Sequence, residues 1–199
     1  MLLYLRLTAL VALIFAPSAS LAQTALLRFR LLPSESQILT LTTDPFGQTV
    51  TGELTLRDGE AGGRIEDLKG SGQVRVAIDA ASYNSSLGLR DDDVQTYYLH
   101  VKDYPTITFV SGGIDEIREP SSSKEAWNLT IKGTLDLHGV KKEIRVPVRL
   151  THQGRRITVE GSTRIFLKDF NISVPTLLFW FRAGDQVEVK FRFVGEQVP

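Results

Sequence analysis

Cysteine is absent from the 199 residues, so no disulfide can brace the fold and no thiolate can join a metal site. Neither sign of charge is in surplus, with 23 Lys and Arg against 23 Asp and Glu. No basic excess points to nucleic acid, and no acidic excess points to a disordered tail. Histidine is nearly missing as well. His100, His138 and His152 stand at no metal-ligand spacing, so neither a metal nor a cofactor is expected. Asp91, Asp92 and Asp93 lack the spaced carboxylates and final Glu of a calcium loop, and read as a solvated helix start stabilised by the helix dipole. There is no G-x-S-x-G elbow. Ser85, His138 and Asp169 can be named together only on paper, because a triad is defined by geometry, and the chain is expected not to be an enzyme. Length suits one domain with a full core, and composition says nothing of oligomeric state.

Long apolar runs are confined to the N-terminus. In residues 1–22 Arg6 is the only charge, Leu7 to Ala16 is apolar, and Ser20, Leu21 and Ala22 form a small-x-small end. That order is expected to be a secretory signal peptide cleaved after Ala22, because Pro17 and Ser18 interrupt the roughly 20 apolar residues a membrane anchor needs. The expectation is therefore an exported domain over residues 23–199.

What the domain has in abundance is alternation. Trp127, Leu129, Ile131, Leu135 and Leu137 alternate with polar residues, then Ile144, Val146, Val148 and Leu150 do the same across His138, Gly139 and Val140. Successive strand side chains point to opposite faces, so these runs form an antiparallel hairpin with one dry side. The same period marks Leu27 to Leu31, Leu39 to Thr42, Val50 to Arg57, Val74 to Ile78, Thr106 to Val110, Ile157 to Leu167 and Val187 to Phe193. Asp58 to Gly63 and Glu119 to Lys124 read as turns. Asn84 to Leu99 breaks the pattern with one or two short helices capped by Asn84 or Ser85, and Pro105 ends anything helical. Eight or nine strands without long helices must cover their own apolar face, by closing into a barrel or folding into a sandwich. Gly52, Gly133 and Gly161 fall in the inward phase, where they permit sharp bends and leave room inside. Val174 to Phe181 (VPTLLFWF) holds five large apolar residues in a row, Leu177 to Phe181, either a buried strand or helix turn, or a mouth that meets a lipid tail or a membrane surface.

The motifs Arg90-Asp91, Tyr104 to Phe109 (YPTITF), Gly133 to Lys142 (GTLDLHGVKK), Asp169 to Ile172 (DFNI) and Gly184 to Val187 (GDQV), in this order, resemble those of the YceI-like domain family over about Leu26 to Val194. Asp93 stands where the family more often has His, and Asn171 where it more often has Gly. The resemblance implies an all-β fold: an elongated, lipocalin-like antiparallel barrel of about eight strands with a short helical insertion. It further implies a non-catalytic role in the bacterial periplasm, holding a polyisoprenoid, an isoprenoid quinone, a fatty amide or another long-chain lipid. The residues expected to line that site are Leu89, Tyr97, Phe109, Trp127, Ile131, Gly133, Leu135, Val159, Leu178, Phe179, Trp180 and Phe191. Arg90 and Asp91 are expected at the entrance, or as an ion pair that pins the helix to the barrel. A transient membrane contact is part of this expectation. The alternatives are a filled-core scaffold that contacts a membrane protein, or a lipid-modifying enzyme.

Overall fold

The computed structural model describes residues 26–118, 126–173, 176–177, 181–182 and 184–199. The expected leader over residues 1–22, the expected turn at 119–124, and Leu178, Phe179 and Trp180 lie outside them. Among the described residues eleven strands follow in chain order. They are β1 (Leu27–Leu31), β2 (Gln37–Thr43), β3 (Thr49–Gly63), β4 (Gln73–Asn84), β5 (Thr106–Arg118), β6 (Trp127–Leu137), β7 (Val140–Gln153), β8 (Arg156–Phe166), β9 (Thr176–Leu177), β10 (Phe181–Arg182) and β11 (Gln186–Val198). Apart from the short β9–β10 pair they form one antiparallel sheet. Pairing of β11 with β8 closes that sheet into a barrel.

The barrel has eight strands at any height, because β1 and β2 share one place. Both lie between β3 and β11, β1 at one end and β2 at the other. A 3-10 turn at Pro33–Glu35 separates them. This turn has a consequence for side-chain phase. Phe29 and Leu31 face inward on β1, but Ile38, Thr40 and Thr42 face inward on β2. The dry face expected at Leu39 and Leu41 is therefore the outer one, since an odd number of steps separates Leu31 from Ile38 and flips the alternation.

Asp58 to Gly63, expected as a turn, continues β3. It is paired on both sides, with β1 through Arg30↔Glu60 and with β4 through Ala61↔Val74. A glycine suits this position because a Cβ on Gly59 would come within 2.6 Å of Leu31 Cδ1. The β6–β7 hairpin turns on two residues only. His138 (φ 54°) and Gly139 (φ 72°) both take left-handed backbone, as a type I′ turn requires.

Short helices close the two ends. Helix α1 (Leu68–Ser71), between β3 and β4, is capped by Asp67. Helix α2 (Gly88–Asp93) runs into a π turn over Val94–Tyr98. Neither Asn84 nor Ser85 caps α2; its N-cap is Leu87, which supplies no side-chain acceptor. The end of the barrel that carries α2 also carries the β2–β3 and β6–β7 turns and a 3-10 turn at Leu167–Phe170. Buried apolar side chains line the inside in two clusters, one around Leu31, Leu56 and Phe193 and one around Ala80, Phe170 and Ile172.

Candidate functional site

Inward side chains do not fill the barrel. A cavity of about 710 Å³ runs inward from the α2 end, within the roughly 300–1,000 Å³ of small-molecule sites. Its wall is apolar for most of its length, through Ile78, Ile107, Leu137, Val146, Ile165 and Val187. Polar groups gather at one end, where Thr42, Asp44, Arg90 and Asp93 rim the mouth. A second cavity of about 480 Å³ occupies the other end, between Leu27, Leu68, Trp127, Leu150 and His152. Ala61, Val74, Ile131, Val148 and Val159 line both, so the two spaces meet at a waist. Among the described residues no charged side chain is buried. The ion pairs, such as Lys132–Glu143 at 3.0 Å and Arg145–Asp115 at 2.7 Å, join exposed or half-exposed groups on the outer surface.

The segment from α2 to Leu99 covers the mouth, and it is tied down at both ends. At its start, Asp91 Oδ1 accepts from Ser85 N (2.8 Å) and from Ser85 Oγ (2.6 Å). Further along, Gln95 Nε2 donates to the Tyr83 carbonyl at 3.0 Å. At its end, His100 meets the β6–β7 turn. His138 Nδ1 lies 3.1 Å from the Phe170 carbonyl and His138 Nε2 lies 3.1 Å from His100 Nδ1. A carbonyl oxygen only accepts, so His138 Nδ1 carries the proton. In the neutral ring Nε2 then accepts from His100 Nδ1–H. The Tyr104 ring packs 4.7 Å from that of His138 and sits over Gly139, where a Cβ would come within 2.5 Å of it.

Burial, reinforced by the nearby Asp91 carboxylate, holds the Tyr83 hydroxyl above the usual phenol range. Burial and Asp93 raise that of Tyr98 in the same direction. Both rings line the large cavity. At the far end, His152 Nε2 is buried without a hydrogen-bond partner among the described residues, and its ring meets Phe29 edge to face.

The structure brings Phe109, Ile131, Leu135, Val159, Phe191, Leu89 and Arg90 to the walls and rim of the large cavity. Trp127 is placed in the smaller one, with Ile131 and Val159 touching both. Leu89 is 81 % exposed at the rim, and Tyr97 is 68 % exposed and lines neither space. The π turn explains Tyr97, because it turns Val94, Tyr98 and Leu99 inward instead. Asp91 is engaged with Ser85 rather than with Arg90. Gly133 does not open a space: a Cβ there would run into the Phe109 ring. The three groups of the paper triad have separate partners, Ser85 on Asp91, His138 on Phe170 and His100, and Asp169 on Lys142 at 3.4 Å.

Sequence reasoning missed Tyr83, Thr40, Thr42 and the division of the lumen into two cavities. Tyr83 was hidden by a bulge. Thr55 pairs with Asp79 and Glu53 with Asn84, so Ala80 to Tyr83 oppose a single residue and the phase set by Val74, Val76 and Ile78 shifts.

Residues 29–195 match the YceI-like domain family. A UPF0312 protein of Azotobacter vinelandii is 32% identical over 107 residues, covering 50% of this chain and 52% of the relative. Protein YceI of Salmonella arizonae is 32% identical over 108 residues, covering 51% and 52%. The chain thus spans about half the length of these curated relatives. Among solved structures, Burkholderia cenocepacia BcnA superposes with a TM-score of 0.66 at 22% identity, over 82% of this chain and 98% of its own. A polyisoprenoid binding domain from Saccharophagus degradans, implicated in plant cell wall breakdown, gives 0.65 at 16% identity, over 85% and 98%. These similarities establish a common barrel fold.

Proposed function

The chain belongs to the YceI-like domain family, and from that premise we propose that it is a non-catalytic binding protein for a long-chain amphiphile. The candidates are a polyisoprenoid, an isoprenoid quinone or a fatty amide, held in the barrel interior. The observation that carries this reading is the cavity of about 710 Å³, its wall mostly apolar and its charged groups confined to the rim. Such a space suits a ligand with one wet end and a hydrocarbon body. Each methylene transferred from water to that wall contributes about 0.8 kcal/mol, so a chain that fits is held without any charged partner in depth. Thr42, Arg90 and Asp93 are placed to orient a polar end. The neighbouring structure described as a polyisoprenoid binding domain supports the same ligand class.

The proposed location is the periplasm, supported by the leader-like composition of residues 1–22. Exposed Leu87, Leu89 and Tyr97 beside the mouth support a transient membrane contact, during which the lipid enters. The test is organic extraction of protein purified from its native host, followed by mass spectrometry and reloading of the stripped protein with a prenyl quinone. A stoichiometric amphiphile is expected. Clean extracts, together with no uptake on reloading, would reject the reading.

A further inference from the structure

We infer that three glycine–aromatic pairs set the bore of the lumen and so decide the width of chain it admits. This rests on the reading of the barrel as a lipid carrier, and names the residues of that site that determine its selectivity. An inward strand side chain stands roughly perpendicular to the sheet, so an aromatic ring would ordinarily project across the lumen. At three points of the large cavity the wall beside the ring is a glycine. Tyr83 lies over Gly52, Phe109 over Gly133 and Phe191 over Gly161, and a Cβ on any of these glycines would collide with the ring. Phe191 is directly opposite Gly161 in register. Phe109 and Tyr83 reach their glycines diagonally, since Phe109 pairs with Leu135 and Glu53 with Asn84, a distance that aromatic side chains span.

Each ring therefore lies down in a notch of the neighbouring strand and leaves the lumen clear. All three rings line the large cavity. A side chain as small as a methyl at the glycine lifts the ring off the wall and narrows the bore at that height. A straight alkyl chain passes a narrowed bore more easily than one with a methyl branch in every isoprene unit. The seated rings thus admit methyl-branched chains.

Gly52 gives the cleanest test, because the atoms nearest its missing Cβ are all side-chain atoms, of Tyr83 and Thr40. At Gly133 and Gly161 the carbonyls of Val110 and Pro147 crowd the position as well, and a substitution would strain the sheet itself. The full chain, stripped of lipid, is titrated with an all-trans four-unit prenyl alcohol and with hexadecanol, which has the same main-chain length. Wild type is expected to bind both. Gly52→Ala should lose about tenfold or more for the prenyl alcohol and less than about threefold for hexadecanol. Adding Tyr83→Ala to Gly52→Ala should restore the prenyl alcohol, because no ring is left to displace. Equal losses for the two alcohols, no loss at all, or a double variant that stays defective overturns the inference. If Gly52→Ala does not fold, Tyr83→Ala alone decides. It should shift preference toward branched chains, and an unchanged ratio rejects the idea. Wild type that binds neither alcohol defeats the lipid-carrier reading itself, a result distinct from losing selectivity.

Discussion

Ala61 stands at the waist between the two cavities, half-buried on β3 beside Val74 and Phe29. Replacing it with Phe places a ring where a threaded chain must pass. On β6 the shared wall is at Ile131 and the far cavity extends to Trp127, four residues farther along the strand. At about 3.4 Å per residue and a strand tilt of about 40°, that is roughly 10 Å of lumen. An extended alkyl chain advances roughly 1.25 Å per carbon, so this length holds about eight methylenes, which contribute up to about 6 kcal/mol at 0.8 kcal/mol each. In wild type, affinity for a series of saturated alcohols should rise by about fourfold per carbon and level off when both cavities are full. In Ala61→Phe the plateau should arrive about eight carbons earlier, with short alcohols bound as before. Displacement of a fluorescent fatty probe gives the affinities. Thermal melts give the overpacking penalty, expected at the low end of about 1–3 kcal/mol because open space borders the site. A plateau at the same chain length in both proteins would refute the threading of one ligand through both spaces.

Three further outcomes can be measured. His138→Ala removes the hydrogen bonds to His100 and to the Phe170 carbonyl. It should lower stability by about 1–3 kcal/mol and speed both ligand release and amide exchange in residues 88–104. Unchanged release would mean that the α2 segment does not govern access. Tyr83 ionises above its ordinary value of about 10, because of burial and then Asp91. The stability it contributes is complete below about pH 10 and is lost as pH rises through the raised value. Urea melts between about pH 9 and 11 should therefore show a shallower alkaline decline in Tyr83→Phe than in wild type. Ile38 is 1 % exposed, so Ile38→Ala should cost about 2–5 kcal/mol, whereas Leu39→Ala, on the outer face, should cost less than about 1 kcal/mol. Equal penalties would contradict the reversed phase of β2.

Most of the barrel was legible because alternation is a property of each strand alone. The inward faces of β3, β6, β7, β8 and β11 could be taken from Val50, Leu129, Val146, Val159 and Val187, and all five are buried. Phase failed where regular pairing is interrupted, once between two strands and once within one. The 3-10 turn after Leu32 reversed β2, and the bulge at Ala80 to Tyr83 turned a tyrosine inward where Ser82 would have pointed. Helix capping failed for a related reason. Ser85 has a hydroxyl suited to a cap, but Asp91 reaches back to it from inside α2, and that partnership depends on how the segment folds over the mouth.

The sequence by itself determined an all-β chain with one dry face per strand, a break near Asn84 to Leu99 and a type of fold that covers its own apolar side. These follow from the period of two, which local sterics impose on any extended chain. Only tertiary structure decided whether the interior would be empty or full. Gly52, Gly133 and Gly161 were visible as missing side chains, but their space is taken by Tyr83, Phe109 and Phe191 from neighbouring strands, and the open volume lies beyond those rings. Whether a notch is vacant depends on which residue the register sets beside it, and register is set by turn geometry and by the stagger that closing the barrel requires.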